Sequence, residues 1–126
     1  MQVGRNEASA VLAGKVVLIT EDEWLVAYDM DRTLSECGAK VLVASTVDEA
    51  LPLAERPDLS AAVLDMLLGD QTAAPICFRL AERGIPFVFS TGLTPVDEEW
   101  KHATVLDKPC APDVLVKAVV GLVSKN

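Results

Sequence analysis

Five short runs of apolar, largely β-branched residues punctuate the chain: KVVLIT at 15–20, AKVLVA at 39–44, AAVLDM at 61–66, PFVFS at 86–90 and TVLD at 104–107. Between consecutive runs the apolar residues recur with a helical period instead. Residues 24–37 carry Val26, Met30, Leu34 and Cys37 on one helix face, and Gly38 suits the exit. The next segment opens with Thr46 and Glu49 at capping-box spacing. Residues 73–83 place Pro75 in a first turn and Gly84 beyond the last, and residues 112–123 are apolar around much of the circumference.

Strict strand-helix alternation leaves few architectures. Parallel strands joined by right-handed crossovers form one sheet with helices on both faces, and burial on both faces makes each strand a continuous apolar run. A length of 126 residues with 51% hydrophobic content suits one domain and is too short for two. Nineteen acids against 11 Lys and Arg, a net charge of -8, argue against a nucleic-acid partner, whose phosphates would need basic residues. Cys37, Cys77 and Cys110 are odd in number and far apart, which matches neither a disulfide framework nor metal-ligand spacing, and a reducing cytoplasm is the simplest setting. The opening MQVGRNEASAVLAGK makes a poor secretory signal, and no later stretch approaches a membrane span, so no membrane partner is expected. Residues 1–13 read as a flexible extension before a domain at 14–126.

In such sheets ligands bind beyond the carboxyl ends of the strands. Glu21, Asp22 and Glu23 follow the first run, the third strand ends at Asp65, the fourth runs into Ser90, Thr91 and Gly92, and Lys108 and Pro109 follow the fifth. The second run is followed only by Ser45 and Thr46, already assigned to a helix start. An order of 2-1-3-4-5 would put that strand at an edge and make the other four ends neighbours around one pocket. Clustered carboxylates repel one another, and a hard divalent cation such as Mg2+ relieves the repulsion through oxygen ligands. An Asp, a metal, a hydroxyl and a Lys together are the parts needed to move a phosphoryl group onto a carboxylate. Asp65 is the expected nucleophile because it alone emerges from the central strand.

Four motifs, ITEDE, VLDMLLGD, FVFSTG and LDKP, stand in order at those strand ends, and over residues 15–123 the chain resembles the receiver domains of bacterial two-component response regulators. The resemblance implies a flavodoxin-like α/β fold, a five-stranded parallel sheet in the order 2-1-3-4-5 with helices on both faces. It implies that Asp65 accepts a phosphoryl group from a phosphohistidine on a sensor histidine kinase or phosphotransfer protein. Glu21 and Asp22 would hold Mg2+ directly or through water, with Asp65 and the backbone carbonyl of Leu67 completing the shell. Thr91 would turn its hydroxyl to the phosphoryl group and Lys108 would pair with it, beside a Lys108–Pro109 bond that is often cis in the family. Chemistry would stop at self-phosphorylation and self-dephosphorylation, so no turnover enzyme is expected. Output would run through contacts with a downstream protein partner, or the domain would drain phosphoryl groups from a kinase.

FVFSTGLT, with GIPF and LVAYDM, is similar to the single-domain receivers whose signature reads Phe-Ala-Thr-Gly-hydrophobic-Tyr (FATGUY). Phe89, Thr91, Gly92 and Leu93 fit, whereas Ser90 replaces Ala and Thr94 replaces Tyr. Val105 stands where many receivers carry an aromatic switch, so coupling is expected through Thr91 and the stretch from Gly92 to Glu99. Leu67 and Leu93, two residues beyond Asp65 and Thr91, are expected to flank the approach to the acyl phosphate, and neither can orient a water.

Simpler readings exist for each residue. Glu21 and Asp22 could be acids favoured at a helix start, Asp65 a turn cap, and Lys108 a solvated cation. Joint placement at neighbouring strand ends favours the site. DMDRTL at 29–34 matches the motif of phosphatases that also form an aspartyl phosphate, but its acids fall inside a helical stripe, away from a strand end. A phosphorylation-independent adaptor and a Mg2+-dependent hydrolase are the competing functions. Trp24 could shield the pocket or pack a helix start, and Trp100 could face a partner or pack half-buried. His102 reads as a surface residue and the cysteines as filler.

Overall fold

The computed structural model describes residues 4–92 and 96–124. Along the chain come α1 (Arg5–Leu12), β1 (Val16–Thr20), α2 (Trp24–Glu36), β2 (Lys40–Ala44), α3 (Val47–Ala54) and β3 (Leu59–Leu64). A two-residue hairpin, β4 (Leu67–Leu68) and β5 (Gln71–Thr72), precedes α4 (Ala74–Glu82), β6 (Phe87–Thr91), a single 3-10 turn (Glu98–Trp100), β7 (Val105–Asp107) and α5 (Pro112–Val123). The sheet order is β2-β1-β3-β6-β7 with every pairing parallel. Counting only the strands of this sheet, that is the expected 2-1-3-4-5.

Alternation along each strand divides the core in two. Leu18, Ala62, Leu64 and Phe89 face α3 and α4, while Val17, Ile19, Val63 and Val88 face α1, α2 and α5. Burial on both faces is why β1 is buried at all five positions and β2, at the edge, at only one.

Three local readings change. The third strand begins at Leu59 and ends at Leu64, so Asp65 lies one residue beyond it, although its N–H still bonds the Thr20 carbonyl at 3.2 Å. Thr46 caps α3 by accepting the Glu49 N–H at 3.1 Å, but the Glu49 carboxylate returns to the N–H and hydroxyl of Ser45, one residue early. At the N-terminus, residues 5–12 are helical and docked, which corrects the flexible extension. Ala8 and Leu12, one helical turn apart, are both fully buried in the cluster that includes Val119 of α5. The pattern is amphipathic at i and i+4, and its small helix-forming residues make a close fit against α5. No helix among the described residues is long and apolar enough to cross a membrane.

Candidate functional site

Asp65 has a side chain only 6% exposed. Its backbone is fixed from β1, where the Thr20 hydroxyl also accepts the Asp65 N–H at 3.2 Å. Both carboxylate oxygens are engaged. Oδ1 accepts the Leu67 N–H and the Thr91 hydroxyl, each at 3.2 Å, and Oδ2 accepts from Lys108 Nζ at 2.7 Å. Lys108 also reaches Glu21 Oε2 at 3.0 Å and Glu23 Oε1 at 3.2 Å. The bond between Lys108 and Pro109 is cis.

Glu21 is almost wholly enclosed and its Oε2 accepts the Glu23 N–H at 3.0 Å. Asp22 is exposed, and its Oδ2 accepts the Gly69 N–H at 2.9 Å, tying the acidic turn after β1 to the hairpin after Asp65. Gly69 adopts φ +64°, a backbone conformation glycine takes without strain. Glu21, Asp22 and Asp65 each offer a carboxylate oxygen, all within 4.8 Å of one another. An open cleft of about 610 Å³ beside them is lined by Val26, Leu67, Gly92 and Pro109 among others.

Electrostatics follow from this enclosure. Burial pushes the Glu21 carboxyl above its ordinary value, against the Glu23 N–H and Lys108 hydrogen bonds that pull it down. Burial would lower Lys108, but its bonds to Asp65, Glu21 and Glu23 outweigh that and raise it, so the site keeps a permanent cation. The arrangement can present a carboxylate nucleophile, hold a hard cation, and supply hydroxyl and ammonium donors to an oxyanion.

All six sequence-predicted site residues lie here: Glu21, Asp22, Asp65, Leu67, Thr91 and Lys108. Two contributors had no assigned role. Glu23 pairs with Lys108, and Thr20 anchors Asp65; the third acid of a triplet and the one polar residue closing an apolar run were the available signals. Leu93 and Thr94 lie outside the described residues. Trp24 is 77% exposed at the start of α2 and lines no part of the cleft, so it neither shields the pocket nor packs. Trp100 is half-buried against Phe78 and Phe87, the packing alternative. Asp29 and Asp31 of DMDRTL sit within α2, as expected of a chance match, and His102 is exposed. All three cysteines are free; burial, with Asp97 adding to it, pushes the Cys77 thiol up to about 12, so it is a poor nucleophile.

No protein-family model matches the chain, and no curated protein matches it. Among solved structures it is similar to SdrG from Sphingomonas melonis Fr1 in solution, with 35% identity over 86% of this chain and 96% of that one and a TM-score of 0.77. The BeF3-activated conformation of SdrG, from Pseudomonas melonis Fr1, is also 35% identical, covering 88% of this chain and 98% of that one with a TM-score of 0.71. A CheY-like receiver domain protein from Methanospirillum hungatei JF-1 shares the fold at a TM-score of 0.80, with 21% identity over 90% and 96% of the two chains. Strand order, the carboxyl-end location of Asp65 and a near-full-length relative at 35% identity therefore agree, and the chain belongs to the CheY-like response regulator receiver domains.

Proposed function

We propose that this receiver takes a phosphoryl group onto Asp65 from the phosphohistidine of a sensor histidine kinase or phosphotransfer protein, in a Mg2+-dependent reaction. It then signals through contacts with a downstream protein partner or serves as a phosphate sink. The observation that carries this reading is the setting of Asp65, a buried carboxylate held by Thr91 on one oxygen and Lys108 on the other, with two further carboxylates within 4.8 Å. SdrG, its 35%-identical relative, has a BeF3-activated conformation, and BeF3− is a mimic of a phosphoryl group. The run Phe89-Ser90-Thr91-Gly92 supports a place near the FATGUY subgroup.

In the transfer, an Asp65 carboxylate oxygen bonds to phosphorus as the phosphorus–nitrogen bond breaks, and that bond's electron pair leaves with the imidazole nitrogen. Lys108 and the Thr91 hydroxyl give up their Asp65 contacts and donate to the phosphoryl oxygens instead. The donor set suits Mg2+, since it is all oxygen and includes three clustered carboxylates whose mutual repulsion a hard cation relieves. Glu21, Asp22, Asp65 and the backbone carbonyl of Leu67 would hold the ion, which neutralises charge on the transferring group. The domain is a phosphoacceptor rather than a turnover enzyme, in a cytoplasmic setting where the donor kinase is found.

Calorimetric titration with Mg2+ and then BeF3− tests the reading on native protein and Asp65→Asn. Saturable BeF3− binding in the native chain, absent from the variant, is the expected result. A native chain that takes up no BeF3− overturns it in favour of a phosphorylation-independent adaptor, the reading that Val105 at the usual aromatic switch position favours.

A further inference from the structure

Trp100 carries an unmet hydrogen bond. Its indole Nε1 is buried and has no partner, the one such side-chain nitrogen or oxygen among the described residues. Buried polar groups are almost always paired in folded proteins, and a donor left without an acceptor destabilises the state that holds it. The residue is half-buried at the end of a three-residue 3-10 turn, so its side chain is in part solvent-exposed while the N–H itself is enclosed.

Aromatic contacts hold the ring where it is. Its centroid lies 5.1 Å from Phe78 at 64° and 5.6 Å from Phe87 at 70°, and Phe87 meets Phe89 at 5.6 Å and 79°, all edge-on arrangements of the favourable kind. Strand alternation places Phe87, Phe89 and Thr91 on one face of β6. The Thr91 hydroxyl is the donor to Asp65 Oδ1. One row of side chains thus runs from the phosphoacceptor, through two phenylalanines, to an indole in an unfavourable position.

We propose that Trp100 is a conformational switch biased toward the loaded state of Asp65. With Asp65 free, the phenylalanine row holds the indole N–H away from any acceptor. When Thr91 leaves Asp65 for a phosphoryl oxygen, the row shifts and the indole turns until its N–H reaches an acceptor or water. Relief of the unmet donor in one state only shifts the equilibrium toward that state and, by linkage, tightens binding at Asp65. The inference rests on the phosphoacceptor reading and deepens it.

Two variants test it. In Trp24→Phe, Trp100 is the sole tryptophan, and its emission is expected to move to longer wavelength on adding BeF3− to the Mg2+-loaded protein, and to stay fixed when Asp65→Asn is added. Trp100→Phe keeps a ring against Phe78 and Phe87 and deletes the N–H, so it relieves the resting state of its unmet donor and takes from the loaded state the bond that donor would make. Its BeF3− affinity by calorimetry is expected to fall about five- to ten-fold with Mg2+ affinity unchanged. Unmoved Trp100 emission, or undiminished BeF3− affinity in Trp100→Phe, overturns the switch while the native titration still supports the acceptor. Failure of the native chain to bind BeF3− overturns the acceptor reading and the switch with it. The emission measurement stands even where Trp100→Phe folds poorly.

Discussion

The ammonium of Lys108 lies 2.7 Å from Asp65 Oδ2, although the strands these residues follow, β7 and β3, are separated in the sheet by β6. Lys108 reaches across that strand end to serve Asp65, Glu21 and Glu23 at once, the only cation among the described residues bonded to the three. Removing it leaves an enclosed Glu21 and Asp65 with uncompensated charge, and breaking a buried pair from one side costs roughly 3 kcal/mol.

Lys108→Met is therefore expected to melt well below the native protein in chelator. Mg2+ at about 100 times its dissociation constant adds about 2.7 kcal/mol to any protein that binds it only when folded, and the variant has more repulsion for it to relieve. The gain in melting temperature on adding Mg2+ should be larger for Lys108→Met than for the native chain. Equal gains in the two proteins would show that Lys108 does not stand in for the metal.

Glu21 gives a pH dependence of defined sign. Burial lifts its folded-state value above the ordinary 4.5 of the unfolded chain, so folding favours the protonated form. That contribution is fully present below the unfolded value and is lost as pH rises through the folded one. At pH 7 the ionised group therefore weighs against the fold, a tension characteristic of functional sites. Glu21→Gln should be more stable than native at pH 7, with the difference shrinking as pH falls toward 4.5, while Mg2+ binding is lost. Thermal melts across that range decide it, and a variant less stable than native at pH 7 contradicts the assignment.

The strand ends were legible because a parallel strand buried on both faces reads as an unbroken apolar run, and the first polar residue after it marks the carboxyl end. Asp65 and Lys108 are visible in that way. The Glu23–Lys108 pair was not, because three consecutive acids look equivalent until distances separate the buried Glu21 from the exposed Asp22 and Glu23. Trp100 also escaped a specific role, since an unmet indole N–H is a property of neighbours far apart in the chain. For α1 the signal was present, as Ala8, Val11 and Leu12 share one helix face, but eight residues show too few turns to stand out as periodic.

That helix should matter to stability and not to chemistry. Leu12 is fully buried in the α2 and α5 core, and α1 leads into β1 at the end of the sheet opposite Asp65. Leu12→Ala is expected to cost roughly 2–4 kcal/mol in denaturant unfolding, with BeF3− affinity unchanged. A loss below about 0.5 kcal/mol, the level of a surface substitution, would mean that the helix does not stay docked.

Leu67 offers a test of how long the phosphorylated state lasts. Its N–H bonds Asp65 Oδ1, while the residue, 37% exposed, lines the cleft with an apolar side chain that has no group to orient a water. Leu67→Asn leaves the backbone contact in place and puts an amide beside the acyl phosphate, positioned to hold an attacking water. A positioned acid or base that moves a proton in the transition state contributes roughly 10²–10⁴-fold, and an amide that only holds the water, with no acid or base of its own, falls below that range. The phosphorylated variant, followed by release of inorganic phosphate after the donor is removed, should decay about ten-fold faster than native. Leu67→Val, which keeps the apolar wall, should decay at the native rate. Equal lifetimes for Asn and Val would place the control of hydrolysis elsewhere in the site.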